Sequence, residues 1–364
     1  MKLCLIHDYL KEYGGAERVL EALHEIWPKA PIYTSFCLEG SKAQLAFKDA
    51  KIIESWFGKL PFCDKLISPL RFLLPSVWRS FDFSQYDLVI SSASWAITKG
   101  FAKGKTKEIC YCHTPPRYLY GYETSRDLKK HWYIRLYASV VNYFMRPYDF
   151  RQAQKVTYFI ANSQETRSRI KKFYRKEAAV INPPVDLPQF KNQKAKTGDY
   201  FLTGGRLEAA KNFDLIIKAC KQLKVPLKIY GTGSQENFLK SIAGSKTEFL
   251  GGIDDQQKFE LMRNCRAFVV MATDEDFGIT PLEAMATGRP VIAFKGGGYL
   301  ETVIEGKTGV FLDQLTVVSL AKTLNGFKPE KYKFQDCQAQ AQKFSKERFK
   351  KEVKDFVQKH AGTS

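Results

Sequence analysis

The feature that most constrains the fold is an alternation of short apolar runs with longer segments of helical spacing along nearly the whole chain. The runs are rich in Val, Ile, Phe and Tyr, which favour strands. Strands alternating with helices are typical of α/β proteins with doubly wound parallel sheets. The predicted strands are 3–7, 87–91, 108–113, 158–162, 179–181, 200–204, 227–230, 247–250, 267–271, 291–294 and 309–312, and the predicted helices include 16–26, 212–223 and 256–263.

The series of strands restarts after a break at Pro183-Pro184, which is followed by a polar Lys/Gln/Gly stretch over 191–198. Two consecutive prolines interrupt regular structure. We therefore predict an N-terminal domain over 1–185, a C-terminal domain over 186–345 and a closing C-terminal helix over 346–364. Sheets of this kind bind ligands at the carboxyl ends of their strands, which predicts a ligand cleft between the two domains.

The chain is strongly basic, and the excess is uneven. Lys and Arg number 57 against 38 Asp and Glu, and residues 101–200 hold 20 basic against 8 acidic residues. Aromatic residues are interleaved with the basic ones over 131–148. This mixture suits an anionic membrane surface, and we predict that the N-terminal domain faces one. A solvated basic face and a single-stranded nucleic-acid site are the alternatives.

Several classes of protein are excluded by composition. A hydrophobic fraction of 44% is too high for a disordered chain, and the chain is long enough to fold without disulfide or metal staples. No apolar run approaches the roughly 18 residues of a spanning helix, and no signal-peptide pattern follows Met1. The eight cysteines are scattered, which indicates reduced thiols and a cytoplasmic protein.

The segment 272–286 carries the most chemistry, because it follows an apolar run and opens a helix. Spacing alone predicts a capping box, with Thr280 as the N-cap, Pro281 at the first helical position and Glu283 at the third. The alternative is functional. Backbone N–H groups at a helix N-terminus bind anions, and a carboxylate one turn inside can accept hydrogen bonds from ligand hydroxyls.

Glu275 and Glu283 also form an E-x7-E pattern that resembles retaining glycosyltransferases of family 4, which have the GT-B fold of two Rossmann-like domains. The matching motifs are closely spaced from 200 to 312 and sparser before residue 200. Further matching segments are Thr203-Gly204-Gly205-Arg206-Leu207, Lys211-Asn212-Phe213, Ile229-Tyr230-Gly231-Thr232-Gly233, Phe249-Leu250-Gly251-Gly252, Gly288-Arg289-Pro290-Val291, Gly297-Gly298 with Glu301, and Gly14-Gly15-Ala16-Glu17-Arg18.

The resemblance implies roles for the matching residues of the C-terminal half. Arg206 and Lys211 would hold the donor pyrophosphate and stabilise the leaving nucleoside diphosphate, a task that a metal performs in other transferases. Glu283 would bind the ribose hydroxyls and Glu275 the transferred sugar. Backbone amides at the start of the following helix would contact the sugar or the phosphate; these are Gly278, Ile279 and Thr280. No metal and no cofactor are expected.

Two features of the N-terminal half leave more than one interpretation. His113 ends an apolar run before Pro115-Pro116, where a lone histidine is often structural, but the resemblance implies that it orients or polarises the donor sugar. Gly14 and Gly15 precede a helix. They either let the backbone approach a phosphate at the helix N-terminus or form a plain tight turn.

The function predicted on this basis is retaining transfer of a hexose from a nucleotide-sugar to a lipid-linked or cell-envelope saccharide. The run His7-Asp8-Tyr9-Leu10 is similar to bacterial mannosyl- and rhamnosyl-transferases of O-antigen, lipopolysaccharide or capsule assembly, so GDP-mannose is the first donor expected and UDP-sugars are the alternative. Such an enzyme would lie in the cytoplasm, peripherally at the inner face of the membrane.

Two other classes of protein are alternatives to a glycosyltransferase. A nucleotide-sugar epimerase or Rossmann oxidoreductase is disfavoured because no Gly-x-Gly-x-x-Gly follows the first strand. A non-enzymatic protein that binds membrane or nucleic acid through the basic domain would leave the donor motifs without a purpose. No recognisable nucleic-acid module is present, and nucleic acid is not an expected partner.

Overall fold

A computed structural model describes residues 1–122, 131–188 and 198–362. Within these residues the chain forms two compact units. The first consists of 1–122, 131–184 and 346–362, and the second of 185–188 and 198–345. Each unit is built on one parallel β-sheet, as the alternation of strands and helices predicts.

The sheet of the first unit has the strand order β3-β2-β1-β4-β5-β6-β7. Its strands are β1 (Leu3–His7), β2 (Ile32–Thr34), β3 (Ile52–Glu54), β4 (Leu88–Ala93), β5 (Lys107–Cys112), β6 (Tyr158–Ala161) and β7 (Ala178–Val180). The chain proceeds in one direction from β1 to β3 and in the other from β4 to β7, so the order reverses between β1 and β4. Loops that follow these two strands therefore meet where doubly wound sheets bind ligands.

The sheet of the second unit has the order β10-β9-β8-β11-β12-β13. Its strands are β8 (Phe201–Gly204), β9 (Leu227–Tyr230), β10 (Thr247–Gly251), β11 (Phe268–Val270), β12 (Val291–Phe294) and β13 (Gly309–Leu312). The order reverses between β8 and β11.

Helices connect the strands of both sheets. They are α1 (Gly15–Ile26), α2 (Lys42–Ala46), α3 (Cys63–Leu66), α4 (Leu74–Arg79), α5 (Arg117–Tyr120), α6 (Trp132–Lys155), α7 (Gln164–Tyr174), α8 (Phe213–Leu223), α9 (Glu236–Ile242), α10 (Asp255–Asn264), α11 (Ile279–Ala286), α12 (Tyr299–Thr302), α13 (Val317–Gly326), α14 (Phe334–Gln342) and α15 (Lys346–Ala361). None of the described helices combines the length and the apolar character needed to cross a bilayer.

Helix α15 belongs to the first unit, where it packs on α1. Its apolar residues are spaced by four, at Phe349, Val353 and Val357, and all three are buried in the core beneath α1 and the sheet. Lys346 and Lys350 add ion pairs to Glu25 of α1 at 3.0 and 2.6 Å. The last helix of the chain is thus part of the core of the N-terminal sheet.

The first unit also buries an ion pair. Nζ of Lys99 lies 2.5 Å from Oδ1 of Asp149, and both side chains are almost fully excluded from solvent. Tyr120 and Tyr174 donate hydrogen bonds to Oδ2 of Asp149 at 2.7 and 2.8 Å. Burial disfavours the charged form of Lys99, but the contact with Asp149 outweighs it and holds the pKa of Lys99 above its ordinary value. One carboxylate therefore joins α5, α6, α7 and the loop after β4.

Helix α6 presents an apolar face to solvent. At 100° per residue, six exposed large side chains fall within one arc of about 120°, and we call this arc the α6 aromatic face. Its members are Trp132, Tyr133, Leu136, Val140, Tyr143 and Phe144. Arg135 and Arg146 are also exposed and border it. The basic, aromatic stretch seen in the sequence therefore exposes most of its rings and does not direct them all into the core.

Every predicted strand coincides with or overlaps an observed one, and the fold-class prediction is confirmed. Two strands were missed, β2 and β3, which have three residues each and lie at the β3 edge of the first sheet. The strands β7 and β11 are equally short, but they lie within longer apolar runs at 178–181 and 267–271, whereas β2 and β3 each contain only two consecutive apolar residues.

Candidate active site

The donor motifs lie where the order of the second sheet reverses. Arg206 and Lys211 follow β8, and Glu275 and Gly278 follow β11, which is the neighbouring strand. Both loops leave the carboxyl ends of parallel strands. Residues that are far apart in the sequence are therefore brought to the position at which doubly wound sheets bind nucleotides.

The loop after β8 is fixed at both ends. Leu207 is buried and its N–H donates to the carbonyl of Thr232 at 3.0 Å, while Arg206 beside it is exposed. At the other end Asn212 adopts a left-handed conformation with φ 54° and donates from Nδ2 to the carbonyl of Met271 at 2.8 Å. This bond ties the start of α8 to the end of β11 and positions Lys211 between them.

Glu275 is the centre of the site in the second unit. Nζ of Lys211 forms a direct ion pair with Oε2 of Glu275, and the hydroxyl of Tyr299 donates to the same oxygen at 3.3 Å. A residue predicted to bind phosphate and one predicted to bind sugar therefore contact each other. Because the pair is partly exposed, a phosphate group that entered this pocket would compete with Glu275 for the ammonium of Lys211.

The backbone around Glu275 is held by two glycines before α12. The N–H of Gly298 donates to the carbonyl of Glu275 at 2.8 Å. A Cβ on Gly298 would lie 2.2 Å from Cα of Phe277, and one on Gly297, whose φ is 54°, would lie 2.4 Å from the carbonyl oxygen of Glu275. The backbone at Gly297-Gly298 lies closer to the backbone at 275–277 than a residue with a Cβ would permit. This explains why both positions are glycine.

Gly298→Ala is accordingly expected to destabilise the fold by about 1–3 kcal/mol, the usual cost of forcing a methyl group into a packed site, and to weaken nucleotide binding by displacing Glu275. Chemical denaturation and calorimetry measure the two effects. Gly326→Ala is the matched control, because a Cβ there would meet nothing within 4 Å. Equal losses for the two variants would contradict this explanation.

Helix α11 begins one turn after Glu275, and here the sequence-based prediction was wrong. The N-cap is Gly278, with φ 93°, and the predicted cap Thr280 lies inside the helix. A glycine accepts the left-handed conformation without a Cβ penalty, so the helix starts earlier than the threonine would allow. Pro281 still falls in the first turn, where a missing N–H breaks no intrahelical bond. Ile279 and Thr280 are the first helical residues.

Glu283 does not act as a capping residue. It is buried on α11, and Oε1 lies 3.0 Å from Nζ of Lys258 on α10. Lys258 also contacts Asp255 at 2.7 Å. Lys258 thus gives the buried carboxyl group of Glu283 a polar partner in the interior.

These residues surround a small open pocket. Of the residues that the resemblance implies for donor binding, Lys211, Glu275, Gly278 and Thr280 line it, together with Thr203, Gly204 and Tyr299. Arg206, Ile279 and Glu283 do not line this pocket. Their predicted contacts with a donor remain predictions.

In the first unit, His113 follows β5 and faces the loops at that sheet's own reversal point. Its Nε2 lies 2.8 Å from Oγ of Ser92, and the same oxygen lies 3.0 Å from Nδ1 of His7. Burial of the ring lowers the pKa of His113 to about 3. The imidazole is therefore neutral at physiological pH and suited to hydrogen bonding, in line with an orienting role.

Gly14 is the N-cap of α1, and Gly15 is its first residue. The N–H of Gly14 donates to Oε2 of Glu17 at 2.9 Å. The amide of Gly14 is thus bonded to the helix itself, which supports the turn interpretation; its role in phosphate binding is also untested. The role of Gly15 in phosphate binding is untested.

Several side chains in these networks were missed by sequence reasoning. Tyr299 and Lys258 carry no motif of their own, since each is defined only by the carboxylate it meets in the fold. His7 and Asp8 did carry a signal, because polar residues at the end of a fully buried strand are unusual. Oδ2 of Asp8 accepts hydrogen bonds from Ser94 Oγ at 2.7 Å and from the N–H of Trp95 at 2.8 Å, which shapes the loop after β4.

Within residues 1–122, 131–188 and 198–362, no group of three or more His, Cys, Asp and Glu side chains is placed to hold a metal ion. Lys211 is the cationic side chain that the described structure places in the lining of the pocket.

Two family models together match most of the chain. Residues 13–189 match "Glycosyltransferase Family 4", and residues 186–344 match "Glycosyl transferases group 1". The two matches meet close to the division between the two units.

Comparisons with individual proteins agree with this. An alpha-1,3/1,6-mannosyltransferase (ALG2) from Dictyostelium discoideum is 30% identical over 310 residues, which cover 70% of each chain. Two solved structures share the fold at lower identity: Anabaena Alr3699/HepE in complex with UDP-glucose (TM-score 0.71, 18% identity, 98% of this chain and 99% of that one) and a sucrose-phosphate synthase from Thermosynechococcus elongatus (TM-score 0.72, 17% identity, 99% of each). The chain belongs to the family-4 glycosyltransferases and is a glycosyltransferase of the GT-B fold.

Proposed function

We propose that this glycosyltransferase moves a hexose, mannose from GDP-mannose in the first instance, to a lipid-linked or cell-envelope saccharide with retention of configuration and without a metal. The observation that carries the proposal is the cluster of Lys211, Glu275 and the N-terminus of α11 at the reversal point of the second sheet. The 30% identity to a mannosyltransferase over most of both chains supports mannose as the sugar.

The proposed chemistry is the one that the resemblance to family 4 implies, and the charges of the site support it. The bond from the sugar's C1 to the diphosphate oxygen breaks, and a new bond forms from C1 to the acceptor hydroxyl oxygen on the same face. The hydroxyl proton passes to the departing phosphate. Negative charge develops on the diphosphate, and Arg206 and Lys211 stabilise it. His113, neutral and buried, hydrogen-bonds the transferred sugar, and Glu275 accepts from the sugar's hydroxyls.

Titration of the protein with GDP, UDP and ADP, with and without EDTA, tests the donor half of the proposal. GDP binding that is selective and unaffected by EDTA is expected. Transfer from GDP-mannose to a lipid-linked acceptor, followed by NMR of the product, then tests the stereochemistry. An inverted anomeric configuration would refute retention, and binding that EDTA abolishes would refute metal independence.

UDP-glucose is the second donor to test, because a structure of the same fold is bound to it. A preference for UDP would be compatible with the same donor site but would contradict GDP-mannose as the donor.

We also propose that the first unit rests on an anionic bilayer through the α6 aromatic face. Aromatic rings partition into the interfacial region, and cations near acidic lipids each contribute about 1 kcal/mol. Arg71 extends this surface, since it hydrogen-bonds Asn142 of α6 at 3.2 Å and is followed by the exposed Phe72. Such a surface would bring the enzyme to an acceptor held in the membrane.

Tyr143→Ser/Phe144→Ser is expected to abolish most flotation of the protein with vesicles of phosphatidylglycerol and phosphatidylcholine, because two interfacial rings are lost. Phe238→Ser/Val318→Ser removes two exposed apolar side chains from the second unit and should change nothing. Binding to pure phosphatidylcholine should be weak in all cases. Flotation that is unaltered by the α6 substitutions would refute this surface.

A further inference from the structure

A chain of buried polar contacts links α1 to His113. Oε1 of Glu17 lies 3.5 Å from Nε2 of His7, Nδ1 of His7 lies 3.0 Å from Oγ of Ser92, and the same oxygen lies 2.8 Å from Nε2 of His113. All four residues are buried. The residues come from α1, β1, β4 and the loop after β5, so only the fold assembles them.

We propose that Glu17 is a positioning residue that fixes the tautomer of His113 through His7 and Ser92, so that His113 presents an unprotonated Nδ1 to the ligand. The proposal rests on the function proposed above for the role of His113, but the tautomer itself does not depend on that function.

The donor and acceptor of each hydrogen bond in this series can be assigned by starting from the carboxylate of Glu17. Burial opposes ionisation of Glu17, but hydrogen bonds from His7 and from the N–H of Gly14 outweigh it, and the pKa of Glu17 lies below its usual value. An ionised carboxylate can only accept hydrogen bonds. His7 must therefore carry its proton on Nε2.

The donors and acceptors of the remaining hydrogen bonds follow from the number of protons that each group carries. In the proposed arrangement the ring of His7 is neutral as well, with one donor nitrogen and one acceptor nitrogen, so its Nδ1 accepts from the hydroxyl of Ser92. That hydroxyl has no second proton, and its oxygen accepts from Nε2–H of His113. Since the ring of His113 is neutral, its Nδ1 is left as an acceptor. Which nitrogen of a histidine carries the proton is generally decided by the bond that the other nitrogen makes.

The consequence is chemical. An acceptor at Nδ1 can receive a hydrogen bond from a sugar hydroxyl, whereas the other tautomer would present a donor and suit a carbonyl or a phosphate oxygen. Glu17 would thus decide which kind of ligand group His113 binds, although it lies two side chains away.

The tautomer can be read directly in protein labelled with ¹⁵N-histidine. Long-range ¹H–¹⁵N correlation should show His113 with a protonated Nε2 and an unprotonated Nδ1, the signals being assigned by their loss in His113→Gln. Glu17→Gln should convert this single tautomer into a mixture, and Ser92→Ala, which cuts the chain at its centre, should do the same. Glu21→Gln is the matched control, because Glu21 lies on the same helix but pairs with Lys346. It should leave the spectrum unchanged.

Kinetics supply the second readout. Glu17→Gln should lower kcat about tenfold, the usual cost of removing a partner that orients a site histidine, with little change in KM for the donor. The effects of Glu17→Gln and Ser92→Ala should not add, because both act through His113. Thermal unfolding checks that the variants are folded.

The outcomes separate the two proposals. A protonated Nδ1 on His113 in the unmodified protein, or a spectrum that Glu17→Gln does not alter, overturns the positioning role whatever the activity. The expected spectrum together with no transfer from any nucleotide-sugar would leave the role of Glu17 standing and overturn the proposed function.

Discussion

Arg206→Ala and Lys211→Ala are each expected to weaken binding of a nucleoside diphosphate by roughly 10- to 100-fold, since a charge-assisted hydrogen bond contributes about 1.5–3 kcal/mol. Isothermal titration with GDP and UDP measures the loss. Lys218→Ala removes the same charge from an exposed ion pair with Asp214 on α8 and serves as the control. Binding that all three variants weaken equally would show that the effect is one of net charge and not of a built site.

The ion pair between Lys211 and Glu275 sharpens this test. If a phosphate must displace Glu275 from Lys211, Glu275→Gln should raise the affinity for the nucleoside diphosphate while it lowers the rate of sugar transfer. Opposite changes in two measurements on one variant are hard to produce by a general loss of structure. A fall in both would instead indicate that Glu275 organises the loop after β11.

Asp149→Ala is expected to have the largest effect on stability, a loss of about 3–5 kcal/mol in the free energy of unfolding. The substitution leaves Lys99 buried without a counter-charge and removes the acceptor for Tyr120 and Tyr174. Urea unfolding of the first unit measures it.

Two further variants provide the controls. Asp214→Ala breaks an exposed pair and should cost less than about 0.5 kcal/mol. Lys99→Met/Asp149→Ala should lose less than Asp149→Ala alone, because no charge is then left unpaired. A double variant less stable than the single one would contradict this account of the core.

Much of the fold could be predicted from the sequence, because the strands of a parallel sheet buried on both faces are written as continuous apolar runs. The runs at 3–7 and 291–294 correspond residue for residue to β1 and β12. Strands β2 and β3 could not be found in this way, since their composition does not mark them as strands; β2 becomes one by pairing with β1, and β3 by pairing with β2. The start of α11 was misplaced because the preference of Thr280 for an N-cap is weaker than the freedom of Gly278.

The site was predictable as a set of segments but not as a set of contacts. Motifs placed Lys211 and Glu275 in the donor region, yet 64 residues separate them and no pattern indicated that they pair. Lys258 and Glu283 are 25 residues apart, and His7 and Ser92 are 85 apart. Such partnerships are decided by strand order, which local sequence does not encode.

The path of the chain has a consequence for how the protein can be rebuilt. The second unit is entered at Val185 and left after Ser345, and these ends are joined, because the N–H of Val185 donates to the carbonyl of Phe344 at 2.9 Å and Val185 forms a β-bridge with Ser345. A domain whose two ends lie close together can be inserted into another protein without disrupting it. Residues 185–345 can therefore be exchanged as one segment: grafting that segment from a relative with another donor preference would test how far it decides which nucleotide is bound.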